Sequence, residues 1–212
     1  MNAITKLIRA DDSRKTRFHT SNGHFCLYPS EFIRAFATTV VRISMKKYSS
    51  SPWLVYSATA HIVPFVSGKR IFEFGSGMST LWFAKRSLEV VSVESNLEWY
   101  FSVVGHAHAQ HCKNVRVIYA NTKASYLAAI AQAGGKFDLI LIDGLYRKDC
   151  VALARTYLNP NGIAIVDNTD AYNGLSETVK NLFKDSTILS FQGWVPGTLH
   201  ASETTIVQGI PI

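Results

Sequence analysis

The residues whose types and spacing could do chemistry begin with two acids and two glycines. In Glu73-Phe74-Gly75-Ser76-Gly77-Met78-Ser79-Thr80, both glycines follow an apolar run, and Glu94 closes the next apolar run. Glycine lets a ligand approach backbone that a Cβ would shield, and a strand-to-helix turn presents N–H groups without helical partners. Gly75 and Glu94 are separated by close to the roughly 20 residues at which an acid meets ribose hydroxyls in nucleotide-binding βαβ units. Thr80 stands where a dinucleotide fingerprint has its third glycine, so the turn suits a nucleoside without a pyrophosphate better than NAD. Ser76, Ser79 and Ser95 add hydroxyls around it.

A second constellation is Asp143, Asp167 and Asn168, each just past an apolar run. Two carboxylates and an amide carbonyl at neighbouring strand ends would be hard ligands for a divalent cation such as Mg²⁺. Asp143-Gly144 is equally a turn dipeptide, and Asn168 a helix cap. Tyr146 and Arg147 follow Asp143. There an arginine could bind an acidic acceptor and a tyrosine could orient a hydroxyl; Arg147 also reads as a first-turn surface residue. His106, His108 and His111 read as a solvated helix end, since only the last two share a helical face.

These residues require a scaffold of alternating strands and helices. Strands are expected at 70–74, 90–94, 115–119, 137–142 and 163–166, with helices near 78–86, 96–108, 123–133, 147–158 and 174–184. That rhythm builds right-handed βαβ units and a parallel sheet covered on both faces. Residues 187–191 and 204–207 are strand-like with only a loop between them, so they should form an antiparallel pair at the sheet edge. A helix before the first strand should run from about Trp53 to Phe65; in folds of this kind that helix often lids the ligand, which would put Trp53 and Tyr56 near it, while Trp99 reads as helix-packing material.

The chain divides into residues 1–50, a basic and helical extension, and residues 51–212, the body. The first 50 residues hold nine Lys/Arg against three Asp/Glu, a net +6; the rest hold thirteen against twelve, a net +1. Such a segment could attract an acidic acceptor, a phosphate-rich surface or an anionic membrane, although it carries no nucleic-acid motif. With 47% apolar and 17% charged residues, three scattered cysteines, no signal-peptide run and no membrane-length apolar stretch, the composition fits a cytoplasmic globular protein, monomeric or homo-oligomeric.

Glu73-x-Gly75-x-Gly77-x-Ser79-Thr80 followed by Val93-Glu94 resembles motifs I and II of class I S-adenosylmethionine-dependent methyltransferases. The resemblance spans roughly residues 52–208. It implies a Rossmann-like, doubly wound, mostly parallel seven-stranded sheet with an antiparallel last strand. By the same resemblance, Glu73 lies near the amino-acid end of S-adenosylmethionine, Gly75 and Gly77 line it, and Glu94 binds its ribose. Pro52-Trp53, Glu98-Trp99-Tyr100, Ile142-Asp143-Gly144 and Asp167-Asn168-Thr169 look like a bacterial methyltransferase-like group with poorly defined acceptors. Asp143, Asp167 and Asn168 also resemble the metal ligands of catechol-type O-methyltransferases, except that Tyr146 stands where those have a lysine base. The expected activity is methylation of a small molecule or saccharide through Asp143, Tyr146 and Arg147. A nicotinamide-dependent oxidoreductase and a non-catalytic cofactor-binding or interaction module are the alternatives.

Overall fold

The structure is a computed structural model that describes residues 14–46, 48–49 and 51–210. The first thirteen residues of the expected extension lie outside the described residues. Seven strands form one sheet: β1 (Arg70–Phe74), β2 (Glu89–Glu94), β3 (Val115–Tyr119), β4 (Phe137–Ile142), β5 (Leu158–Asp167), β6 (Thr187–Trp194) and β7 (Ala201–Gln208). Their order is β3-β2-β1-β4-β5-β7-β6, parallel except for β7, which runs against both neighbours. The described helices are α1 (Pro29–Met45), α2 (Tyr56–Ile62), α3 (Met78–Ala84), α4 (Leu97–Ala109), α5 (Lys123–Ala133), α6 (Arg147–Tyr157) and α7 (Leu175–Leu182), with a 3₁₀ turn at Val63–Phe65.

Alternation along each strand divides the core between the two faces of the sheet. Phe72, Phe74, Val91, Val93, Ile140 and Ile142 pack against Ala129 and Ile130 of α5 and Val151 and Ala154 of α6. Ile71, Val90, Leu139, Leu141 and Ile165 face Ala58 and Ile62 of α2 and Trp82 and Phe83 of α3. Burial on both faces explains the nearly unbroken apolar lettering of these strands. Glu73 shares the side of Ile71, so its carboxyl is carried beneath α3 and is fully buried.

β5 starts earlier than the sequence predicts. Leu158 pairs with Phe137, and a register shift then carries the strand through Asn159-Pro160-Asn161-Gly162 to Ile163. The last two strands also run closer to their turn, through Trp194 and from Ala201.

The described part of the N-terminal segment docks on this terminal hairpin. Ala201 N–H donates to Arg17 O at 2.8 Å, Arg14 Nε donates to Ala201 O at 3.1 Å, and Trp194 N–H donates to Glu31 Oε2 at 3.1 Å. Among the described residues no helix is long and apolar enough to cross a membrane.

Candidate functional site

Strand register alone aligns the candidate residues. Phe74 pairs with Val93 on one side and Ile142 on the other, and Ile142 pairs with Val166. The next residue of each strand therefore falls in one row: Glu94, Gly75, Asp143, Asp167. The row crosses the point where strand order reverses between β1 and β4, the place where open α/β sheets bind ligands.

Two glycines interlock at its centre. Gly75 has φ +101°, and an added Cβ would lie 2.8 Å from both the Cα and the N of Gly144. A Cβ on Gly144 would strike the Tyr126 hydroxyl and the Gly75 backbone. Gly144 thus has a packing reason that its turn lettering did not reveal. At Gly77 an added Cβ would meet, among the described residues beyond its chain neighbours, Ser79 Oγ alone, at 3.9 Å. That position borders open space.

The open space is a cleft of about 260 Å³ lined by Trp53, Gly75, Ser76, Gly77, Ser79, Glu94, Trp99 and Asp143, among others. Glu94 is held from two sides. Its Oε1 accepts from the backbone N–H of Ser95 and Asn96, both at 2.8 Å; its Oε2 accepts from Ser76 N–H and Ser76 Oγ, both at 3.2 Å. The short pair fixes the carboxylate, and the long pair is weak enough to exchange for a ligand's hydroxyls. The two indoles wall the cleft with rings 6.3 Å apart, and Trp99 Nε1 donates to Ser76 O at 2.7 Å. Trp99 lines the cleft, a place that its helix-packing lettering did not reveal.

Glu73, Thr80 and Ser95 stand behind the cleft. Thr80 is fully buried, and its Oγ1 accepts from Gly77 N–H at 3.0 Å, filling the space a third glycine would leave open. Neither carboxyl oxygen of Glu73 has a hydrogen-bond partner among the described residues. Burial holds its pKa up at about 8, although the Thr80 and Ser79 hydroxyls, close by but outside hydrogen-bond geometry, favour the charged form.

The acceptor-side residues are arranged differently from expectation. Arg147 is buried and faces inward. Its Nε donates to Gly144 O at 3.0 Å, Nη2 to Asp143 O at 2.7 Å and to Asp143 Oδ1 at 3.0 Å, and Nη1 to Asp167 O. The guanidinium ties together the ends of β4 and β5. Tyr146 caps α6 with φ +52°, and its ring meets Tyr126 edge-on. Both residues line a separate hollow with Tyr172.

Asp143 lines the cleft with its side chain 29% exposed. Asp167 is buried and its Oδ1 accepts from Thr204 Oγ1 at 2.5 Å. Burial raises the pKa of both carboxyls; the charge of Asp143 raises Asp167 further, while Arg147 pulls Asp143 back down. Asn168 turns its amide away, donating to Ser202 Oγ at 2.9 Å. Of the expected metal ligands, Asp143 already carries the Arg147 guanidinium at 3.0 Å and Asp167 the Thr204 hydroxyl; among the described residues no group of three or more His, Cys, Asp or Glu could hold an ion.

Tyr56, expected near the ligand, packs instead with Ala35 and Trp194 beneath the guanidinium of Arg34, 4.1 Å from its ring centroid.

The cleft fits S-adenosylmethionine in its chemistry. It offers an exchangeable carboxylate for a ribose diol, aromatic walls for a flat base, open space beside Gly77 and an orphaned carboxyl behind the turn.

No protein-family model matches the chain, and no curated protein matches it in sequence. Solved structures do match in shape. An O-methyltransferase of tomaymycin synthesis from Streptomyces achromogenes, solved with S-adenosylmethionine, superposes with a TM-score of 0.58 at 16% identity, covering 87% of this chain and 91% of that one. A methyltransferase from Pyrococcus furiosus gives 0.55 at 17%, covering 87% and 100%. A protein from Methanobacterium thermoautotrophicum described as precorrin 8w decarboxylase gives 0.55 at 13%, covering 72% and 88%. What the chain shares with these structures is the fold.

Proposed function

We propose that the chain is an S-adenosylmethionine-dependent methyltransferase acting on a hydroxyl of a small molecule or saccharide. The observation that carries the reading is the row Glu94, Gly75, Asp143 along one cleft, with the Glu73 carboxyl orphaned behind it. When bound, the cofactor supplies a methyl group on a positively charged sulfur. The residues of the chain bind and orient. Glu94 exchanges its long Ser76 bonds for ribose hydroxyls, and Trp53 and Trp99 exclude water around the base.

Of the two carboxylates that line the cleft, Glu94 is engaged by four donors, which leaves Asp143 to take a proton from an acceptor hydroxyl. Its raised pKa makes it a stronger base than an ordinary aspartate, and Arg147 supplies the adjacent positive charge that a metal would otherwise provide. The nicotinamide reading lacks the third glycine of the dinucleotide fingerprint, which serves close helix–strand packing: Thr80 stands there, fully buried and bonded to Gly77 N–H.

A screen with S-adenosylmethionine carrying a labelled methyl group tests the reading across catechols, phenolic acids and sugars. Label on an acceptor oxygen is expected. Label confined to nitrogen, or none transferred by protein that binds the cofactor, would overturn the hydroxyl assignment.

A further inference from the structure

We infer that the outward face of α1 seats the protein on an anionic lipid bilayer. The inward face of α1 is satisfied: Ala35 and Thr39 are buried, and Phe32 meets Trp194 with ring centroids 4.8 Å apart. The outward face is apolar. Ile33, Phe36, Val40 and Ile43 recur at intervals of three, four and three residues, which puts them on one side of the helix. They are 65%, 52%, 45% and 71% exposed. Phe25 and Leu27, just before the helix, are exposed too. A continuous apolar patch of this kind on a folded surface marks an interaction site.

Charge selects the occupant. The segment that carries the patch holds +6 of the chain's net +7. Lys46, exposed at the C-cap of α1, has no acidic partner among the described residues. Pairing two copies through α1 would bring two such segments together against their mutual repulsion, whereas an anionic headgroup layer complements them. A 17-residue helix with an apolar face and basic neighbours lies in the interface rather than across it.

The placement bears on the cleft. Tyr48, two residues beyond Lys46, meets Trp53 and Trp99 with ring centroids at 5.6 and 5.5 Å, and those indoles wall the cleft. The C-terminal end of α1 therefore lies next to the cleft mouth. The inference needs no assumption about the reaction.

Sedimentation of the full chain with vesicles of phosphatidylcholine, with and without phosphatidylglycerol, tests it. Binding is expected to the anionic vesicles, falling at least about tenfold in about 1 M salt, where the screening length is only about 3 Å. The combined variant Ile33→Ser, Phe36→Ser, Ile43→Ser should lose binding with its circular dichroism unchanged, since all three side chains face solvent. Lys46→Gln should weaken binding by about fivefold. The inference is overturned by absence of wild-type binding, by equal binding to uncharged vesicles, or by binding that survives the triple variant. Light scattering that finds a wild-type dimer dissolved by the triple variant would make a second copy the occupant, and would overturn it equally.

Discussion

Glu73 offers a perturbation whose size follows from the structure. In the folded protein its carboxyl keeps a proton up to about pH 8, while the unfolded chain releases that proton near 4.5. Between those values folding takes up a proton, so the stability contribution is complete below 4.5 and is lost as pH rises toward 8. At about 1.36 kcal/mol per pH unit, the whole window is worth about 5 kcal/mol, of which about 3 kcal/mol falls between pH 6 and 9. Glu73→Gln keeps the shape and removes the titration. Urea denaturation followed by circular dichroism at pH about 6 and about 9 should show wild type losing about 3 kcal/mol more than the variant across that interval. Parallel pH dependences in the two proteins would refute the argument that Glu73 is buried without a partner.

Glu94→Ala should weaken S-adenosylmethionine binding by about 1–3 kcal/mol in calorimetry, because ribose hydroxyls lose a charged acceptor; unchanged affinity would remove Glu94 from the site. Gly77→Val should block the cofactor while leaving circular dichroism intact, since its Cβ enters open cleft, whereas Gly75→Val should unfold the protein through the 2.8 Å contact with Gly144. Normal cofactor binding by a folded Gly77→Val protein would contradict that distinction. Asp143→Asn should depress turnover without loss of cofactor affinity, and a chelator should leave wild-type turnover unchanged. Turnover lost in chelator and restored by Mg²⁺ would show that an ion, not Arg147, attends Asp143.

Much of this architecture is legible in the sequence because it rests on local periodicity. The alternation of apolar runs with helical segments marks the strands, and the loop-only connection before Thr204 marks the antiparallel edge. The candidate cleft is legible for a related reason: Gly75, Gly77 and Glu94 sit at fixed distances from strand ends, and register brings Gly75 and Glu94 level. The opening of β5 is hidden because Asn159-Pro160-Asn161-Gly162 reads as a turn, while pairing across the register shift keeps it in the sheet.

The acceptor half depends on side-chain direction, which no spacing encodes. Arg147 stands where a substrate-facing arginine would stand, yet three backbone carbonyls turn it inward. Trp99 carries the lettering of a packing residue, and only the hydrogen bond to Ser76 O brings its ring to the cleft. Asp143 and Asp167 are level because β4 and β5 are in register, but Arg147 and Thr204 decide what each carboxylate faces.

The most direct test of the central claim is calorimetric titration of the wild-type chain with S-adenosylmethionine and, separately, with NAD. The account predicts saturable binding of S-adenosylmethionine, weakened by Glu94→Ala, and no binding of NAD. Binding of NAD in place of S-adenosylmethionine would contradict it.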